Sequence, residues 1–130
     1  MNFGDQLKNS MGNIRKKANA RVRRIALAAF ERISTASPVD EGTFRANWLV
    51  SFNTLDRDFD LNLTLADVPE STTKAVAFIN ARAVAGIDVF ICNSVPYAVA
   101  LEYGYSSQAS GGVVGPVCQL MQLAISAGSI

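Results

Sequence analysis

The stretch Ser37-Pro38-Val39-Asp40-Glu41-Gly42-Thr43-Phe44-Arg45-Ala46-Asn47-Trp48 divides the chain into two unlike parts. A proline, an aspartate and a glycine fall within five positions, which marks a shaped corner and not the interior of a helix or strand. Pro38 disfavours a helical residue before it and so ends whatever precedes. Asp40 is placed to accept backbone N–H groups two or three residues on, as an Asx turn or as the cap of a short helical turn through Ala46. Gly42 is expected to relieve backbone strain within that turn.

Upstream of the corner, from about Asp5 to Thr35, the residues Leu7, Met11, Ile14, Ala18, Val22, Ile25, Ala29 and Ile33 recur at three- and four-residue steps. That spacing predicts one long helix with a single apolar stripe. Leu27 and Phe30 lie opposite the stripe, so the last turns are expected to be buried on both sides and the first half exposed. Eight basic residues, Lys8, Arg15, Lys16, Lys17, Arg21, Arg23, Arg24 and Arg32, fall in the first 36 positions beside only Asp5 and Glu31, a local excess of six positive charges. The whole chain of 130 residues carries a net charge of only +1, so the remainder is acidic by five. Clustered Arg15, Lys16, Lys17, Arg21, Arg23 and Arg24 suit phosphate contact by counterion release, or attraction to an acidic protein surface, or simply a solvated helix face. No base-reading motif or aromatic platform accompanies them.

Downstream, Trp48, Val50 and Phe52 alternate with Leu49, Ser51 and Asn53 as a strand would. Phe59, Leu61, Leu63 and Leu65 alternate with Asp60, Asn62 and Thr64, which predicts a second strand with one wet face after a turn at Asp56-Arg57-Asp58. A helix is expected from Pro69 through Ala85, stopped by Gly86. Ile87, Val89 and Ile91 read as a third strand, and Ser94-Val95-Pro96 opens a short helix carrying Tyr97, Ala98, Leu101 and Glu102. A Gly/Ser/Tyr-rich loop from Gly104 to Gly115 precedes a final helix from Pro116 to about Ala127. The predicted order α-β-β-α-β-α-α is that of an α+β fold, with a long N-terminal helix and further helices packed on a small, mainly antiparallel β-sheet. A chain of 130 residues suits one domain, 1–130.

Several function classes are excluded or disfavoured on chemical grounds. With no histidine, Ser-His and Cys-His catalysis and His-bearing zinc sites are out of reach. Cys92 and Cys118 form no C-x-x-C pair, and two buried free thiols are expected in preference to a disulfide. Asp56, Asp58 and Asp60 start like a calcium loop, but its sixth and twelfth positions are Leu61 and Asp67 where Gly and Glu belong. Glu102 and Asp88 have no accompanying nucleophile or oxyanion-hole motif, and Gly111, Gly112 and Gly115 lack the lysine of a phosphate loop. No catalytic, metal or cofactor site is therefore expected. The start, Met-Asn-Phe-Gly-Asp-Gln, lacks a signal-peptide pattern, which leads to the expectation of a protein kept in the cytosol. No charge-free apolar stretch of about 20 residues suggests a membrane span.

From Tyr103 to Ile130 the chain has no charged residue, a run of 28 positions. Two explanations compete. One is a core helix plus a neutral loop within the monomer; the other is a subunit interface, whose centre is typically poor in charge and rich in Tyr and Met. The loop's glycines, with Tyr103, Tyr105, Ser106, Ser107 and Gln108, fit a segment that is mobile alone and ordered by a neighbour.

The corner resembles the motif Ser/Thr-Pro-Val-Asp-Thr-Gly-x-Leu/Phe-Arg-x-Ser/Asn-Trp of the tail-completion, or head–tail joining (neck), proteins of tailed bacteriophages, which are tail-terminator-like. Asn93-Ser-Val-Pro-Tyr-Ala98 with Leu101-Glu102-Tyr103-Gly104 is similar to that family's Asn-x-x-Pro-Tyr-Ala-x-x-Leu-Glu-x-Gly. Ser106 to Gly112 resembles its Ser-x-Gln-Ala-Pro-x-Gly loop. The blocks stand in the family's order between a long first helix and a last helix, so the resemblance spans most of the chain. Glu41 stands where Thr is usual and Ser110 where Pro is usual, the latter implying a less stiff loop. The resemblance implies a structural virion protein, not an enzyme, that forms a homo-oligomeric ring at the head-proximal end of the tail. Such a ring ends tail-tube polymerisation, gives the head connector or head-closure protein a docking surface, and lets genomic DNA pass through its centre. Six subunits, contact with the tail tube protein, location in the virion neck and assembly in the host cytoplasm come from the family. On this reading Pro38, Asp40, Gly42, Arg45 and Trp48 form a structural corner, and Pro96, Tyr97, Glu102, Tyr103, Tyr105, Ser107 and Gln108 meet a subunit or partner. A small DNA-binding accessory protein acting through the basic helix is the alternative.

Overall fold

A computed structural model describes residues 2–130. Helix α1 runs from Phe3 to Ala36, a single helix of 34 residues. Asn2 caps its start by accepting the Asp5 N–H at 2.8 Å, and Asp5 adds a favourable negative charge in the first turn. At the other end Ser37 turns to an extended conformation ahead of Pro38, as the proline requires. The last turn of α1 contains no basic residue of its own. Arg45 fills that role from outside, its Nη2 donating to the carbonyls of Thr35 at 3.2 Å and Ser37 at 2.8 Å.

After the corner come α2 (Thr43–Ala46) and β1 (Leu49–Phe52). Helix α3 (Val68–Arg82) follows a 3-10 turn at Leu65–Asp67, and β2 (Val89–Cys92) follows α3. The chain ends with α4 (Ala98–Glu102), a second 3-10 turn at Ser107–Ala109, and α5 (Val114–Ser126). Strands β1 and β2 pair antiparallel, with Leu49 opposite Cys92 and Phe52 opposite Val89. The α+β class expected from the sequence is the class observed.

The core forms where the second half of α1 meets α3, α5 and the two-stranded sheet. Ala26, Phe30 and Ile33 of α1 pack with Phe44, Trp48, Val50, Phe52, Ala75, Ile79, Val95, Val117 and Met121. Ile79, in the last turn of α3, is fully buried. The Arg82 guanidinium lies 5.0 Å from the centre of the Phe52 ring and closes one end of this core with a cation–π contact. Burial in α1 is as uneven as its composition predicts: residues 2–17 are all exposed, and the apolar stripe meets the core only from Val22 onward.

Three sequence expectations are corrected. Residues 59–65 form no strand, so the sheet has two strands and not three. Their backbone is held instead by single side chains and turns: Asn47 Nδ2 donates to the Asp60 carbonyl at 3.0 Å, and Asn47 Oδ1 accepts the Asp60 N–H at 2.8 Å. Thr43 Oγ1 donates to the Leu63 carbonyl, and the Leu65 N–H donates to the Glu41 carbonyl. Phe59, Leu61 and Leu65, read as the buried face of that strand, are about half exposed. Helix α3 ends at Arg82, short of Ala85, and Ala85 donates its N–H to Asn19 Oδ1 of α1 at 2.9 Å. Both cysteines are free, but only Cys92 is even half-buried, and Cys118 is exposed on α5.

Candidate functional site

Three separated blocks of sequence, residues 37–48, 93–104 and 106–112, converge on one clasped corner. Ser37 is its hinge pin: buried, it donates through Oγ to the Ile33 carbonyl at 2.7 Å and accepts the Trp48 indole N–H at 2.8 Å. A buried indole N–H needs such a partner, and this one ties the end of α1 to the start of β1. Pro38 is buried beside it. Phe44 packs edge-on against Trp48 with ring centres 5.4 Å apart, and its other side faces Tyr97 at 6.5 Å.

The second block docks through Asn93, whose Nδ2 donates to the Phe44 carbonyl at 2.7 Å while Oδ1 accepts the Val95 N–H at 3.3 Å. The third docks through Gln108. Its Oε1 accepts the Val39 N–H at 2.9 Å and its Nε2 donates to the Val39 carbonyl at 2.7 Å, so one side-chain amide pairs with one residue's backbone as a neighbouring strand would. Ser106 Oγ accepts the Gln108 N–H and sets the turn that aims this amide.

Gly42 adopts φ 87°, and a Cβ there would overlap the Leu65 backbone. The strain relief expected of this glycine is therefore present, sharpened by a close approach that the sequence does not reveal. Asp40 departs from expectation. Its carboxylate accepts no hydrogen bond among the described residues, because Gly42 itself occupies the cap position of α2 and Asp40 stays exposed at the rim.

Glu102 is built into the chain's own structure. Its two carboxylate oxygens accept the N–H groups of Val113, Val114 and Gly115 at 2.9, 2.8 and 2.8 Å, satisfying the first donors of α5. Partial burial works against the charge, but these three donors outweigh it and hold the carboxyl below its ordinary value. Gly112, with φ 89°, brings the backbone close against Glu102, where a Cβ would collide with its carbonyl oxygen. The 104–115 loop is therefore held at both its middle and its end by its own chain, and Ala109, Gly112 and Val113 are buried. The expectation of a loop that waits for a neighbour does not fit these bonds.

A cleft of about 460 Å³ lies over the clasp, edged by Asp40, Glu41, Thr43, Tyr97 and Leu101. Burial holds the Tyr97 phenol above its ordinary value; the Glu41 and Asp40 carboxylates add to this, and a hydrogen bond with the Thr43 side chain opposes it. Pro96 and Ser107 are exposed, and Tyr103 and Tyr105 are 78% and 82% exposed, an unusual state for two adjacent-turn aromatics. The basic residues stand apart from the corner. Arg15, Lys16, Lys17, Arg21 and Arg24 are exposed on α1, whereas Arg23 is half-buried and its Nε is enclosed without an acceptor among the described residues. Asp56 and Asp60 use their carboxylates on the Asp58 and Asn62 N–H groups. No described helix is long and apolar enough to cross a membrane.

Sequence reasoning missed the two amide bridges, Asn47 and Asn93, and read Gln108 and Glu102 as contacts to a partner. Both bridges lie within the quoted motif blocks, Asn47 next to Trp48 in the first and Asn93 at the start of the second. Compared with protein-family models, with curated proteins and with solved structures, the chain has no match.

Proposed function

We propose that the chain is a structural protein of a tailed bacteriophage virion, a tail-completion or neck protein that forms a ring at the head-proximal end of the tail. In this role it joins the tail tube protein to the head connector or head-closure protein, surrounds the passing genomic DNA without reading its sequence, and catalyses nothing. One observation carries the reading: the three blocks that resemble the neck family are one interlocked unit, through Asn93 on Phe44, Gln108 on Val39, and Arg45 and Trp48 on the end of α1. Residues that answer to the family's motif thus have a joint structural reason to occur together, which supports the reading. The ring has six subunits by analogy with the family, sits in the virion neck, and assembles in the host cytoplasm.

The test is charge reversal of the exposed basic residues Arg15, Lys16 and Lys17, leaving half-buried Arg23 alone. Phage carrying the reversals should accumulate unjoined heads and tails in micrographs. Normal virion yield would remove these residues from head–tail joining. The alternative, a DNA-binding accessory protein, is favoured by the exposed basic face of α1 alone. Tight, steeply salt-dependent DNA binding by the isolated chain, with no copies in virions, would establish it instead.

A further inference from the structure

Residues 3–17 of α1 extend beyond the body as an arm about 22 Å long at 1.5 Å per residue, with every described residue exposed. Along one side lie Phe3, Leu7, Met11 and Ile14, between 49% and 77% exposed, continuing the stripe that is core farther along. Gly4, Ser10, Gly12 and Asn13 are poor helix formers, and an unsupported helix of this length is marginal in water. The arm needs a surface to lie on.

Toward the opposite end lies an open groove of complementary character. This groove of about 520 Å³ runs between β1 and α3 from Glu70 to Phe78, walled by Phe59 and Phe78, each about half exposed. Five carboxylates, among them Asp58 and Glu70, border it against a single cation, Lys74. The chain's own arm cannot reach it. Helix α3 starts beside the corner, through Leu65 N–H on the Glu41 carbonyl, and ends near the middle of α1, through Ala85 N–H on Asn19. It therefore runs antiparallel to α1, and the arm continues past Asn19, away from the groove.

We infer that the arm of one copy lies in the acid-bordered groove of a second copy, head to tail. The apolar stripe meets the aromatic walls while Lys8, Arg15 and Lys17, which flank the stripe at helical spacing, face the carboxylates. The two surfaces differ and sit at opposite ends, so the contact is heterologous and repeats from copy to copy until it closes. This deepens the ring reading and rests on it only for closure.

Sedimentation velocity on the full chain over a concentration series tests the pairing. The variants are Lys8→Glu with Lys17→Glu, Asp58→Lys with Glu70→Lys, and all four together, with circular dichroism as a folding control. These side chains are exposed and make no hydrogen bond among the described residues. Each pair should weaken self-association roughly tenfold or more, and the fourfold variant should restore it, since the signs then match again. A wild-type chain that stays monomeric throughout, reversals without effect, or a fourfold variant as weak as each pair would overturn the inference. A neck ring in virions together with ineffective reversals would discard the arm–groove contact and keep the ring. Responsive self-association in a chain absent from virions would do the opposite.

Discussion

Gly42 combines a left-handed backbone with contact against Leu65, so a side chain there meets both a torsional and a steric penalty. Gly42→Ala is expected to lower stability by roughly 2 kcal/mol or more, measured as a shifted denaturation midpoint. A loss near zero would mean that the corner relaxes freely. Asp40 lies two residues away and behaves differently. Without a backbone donor to hold, Asp40→Ala should change stability by less than about 0.5 kcal/mol, where a capping aspartate would cost about 1 kcal/mol. A variant that melts normally but fails to assemble would make Asp40 a contact residue at the cleft rim. Glu102 gives a pH signature. Its folded carboxyl titrates below the ordinary value of 4.5, so its contribution is complete above that value and disappears as pH falls through the lower, folded one. Glu102→Gln turns an amide donor toward backbone donors and should cost about 1–2 kcal/mol at neutral pH. The gap between wild type and variant should narrow in acid; a gap that widens there would contradict the carboxylate cap.

Elements with strong periodicity were legible, and those held by side chains were not. Helix α1 announces itself through eight apolar positions in one stripe and a proline stop, and its observed end, Ala36, lies two residues before that proline. Alternation marks β1 and β2 each as a strand, but their antiparallel pairing across the intervening α3 is not written in either pattern. The same alternation at Phe59, Leu61, Leu63 and Leu65 misleads, because pairing there is replaced by Asn47 on Asp60, a contact between residues thirteen apart that no local pattern encodes. The 104–115 loop misleads in the other direction. Its glycines read as freedom, but Gly112 serves a close approach to Glu102, and Gln108 fastens the middle to Val39. Hydrogen exchange should accordingly find the Val39, Val113 and Val114 amides protected in the isolated chain. In Gln108→Ala the protection at Val39 should be lost while that at Val113 persists. Rapid exchange at all three in the wild type would restore the loop to a segment ordered only by a neighbour.

The whole molecule is polarised, with a basic arm at one end and an acid-bordered groove toward the other, and the near-zero net charge conceals this. The charge split was legible from counting alone; the placement of the two halves at opposite ends required the antiparallel run of α3 against α1. Such a subunit suits head-to-tail association, and raising the ionic strength should weaken it by screening the pairing beyond a Debye length of about 10 Å at 0.1 M salt. The charge-free C-terminal run is shared between the two explanations weighed from sequence. Val117 and Met121 of α5 enter the monomer's core, while Tyr103, Tyr105 and Leu123 remain exposed. Electron cryomicroscopy of virions from phage encoding this chain would show whether the proposed neck ring exists. A closed ring of this fold at the head-proximal end of the tail tube, with DNA on its axis, is the expected result. A resolved neck with no copies of the chain would contradict it.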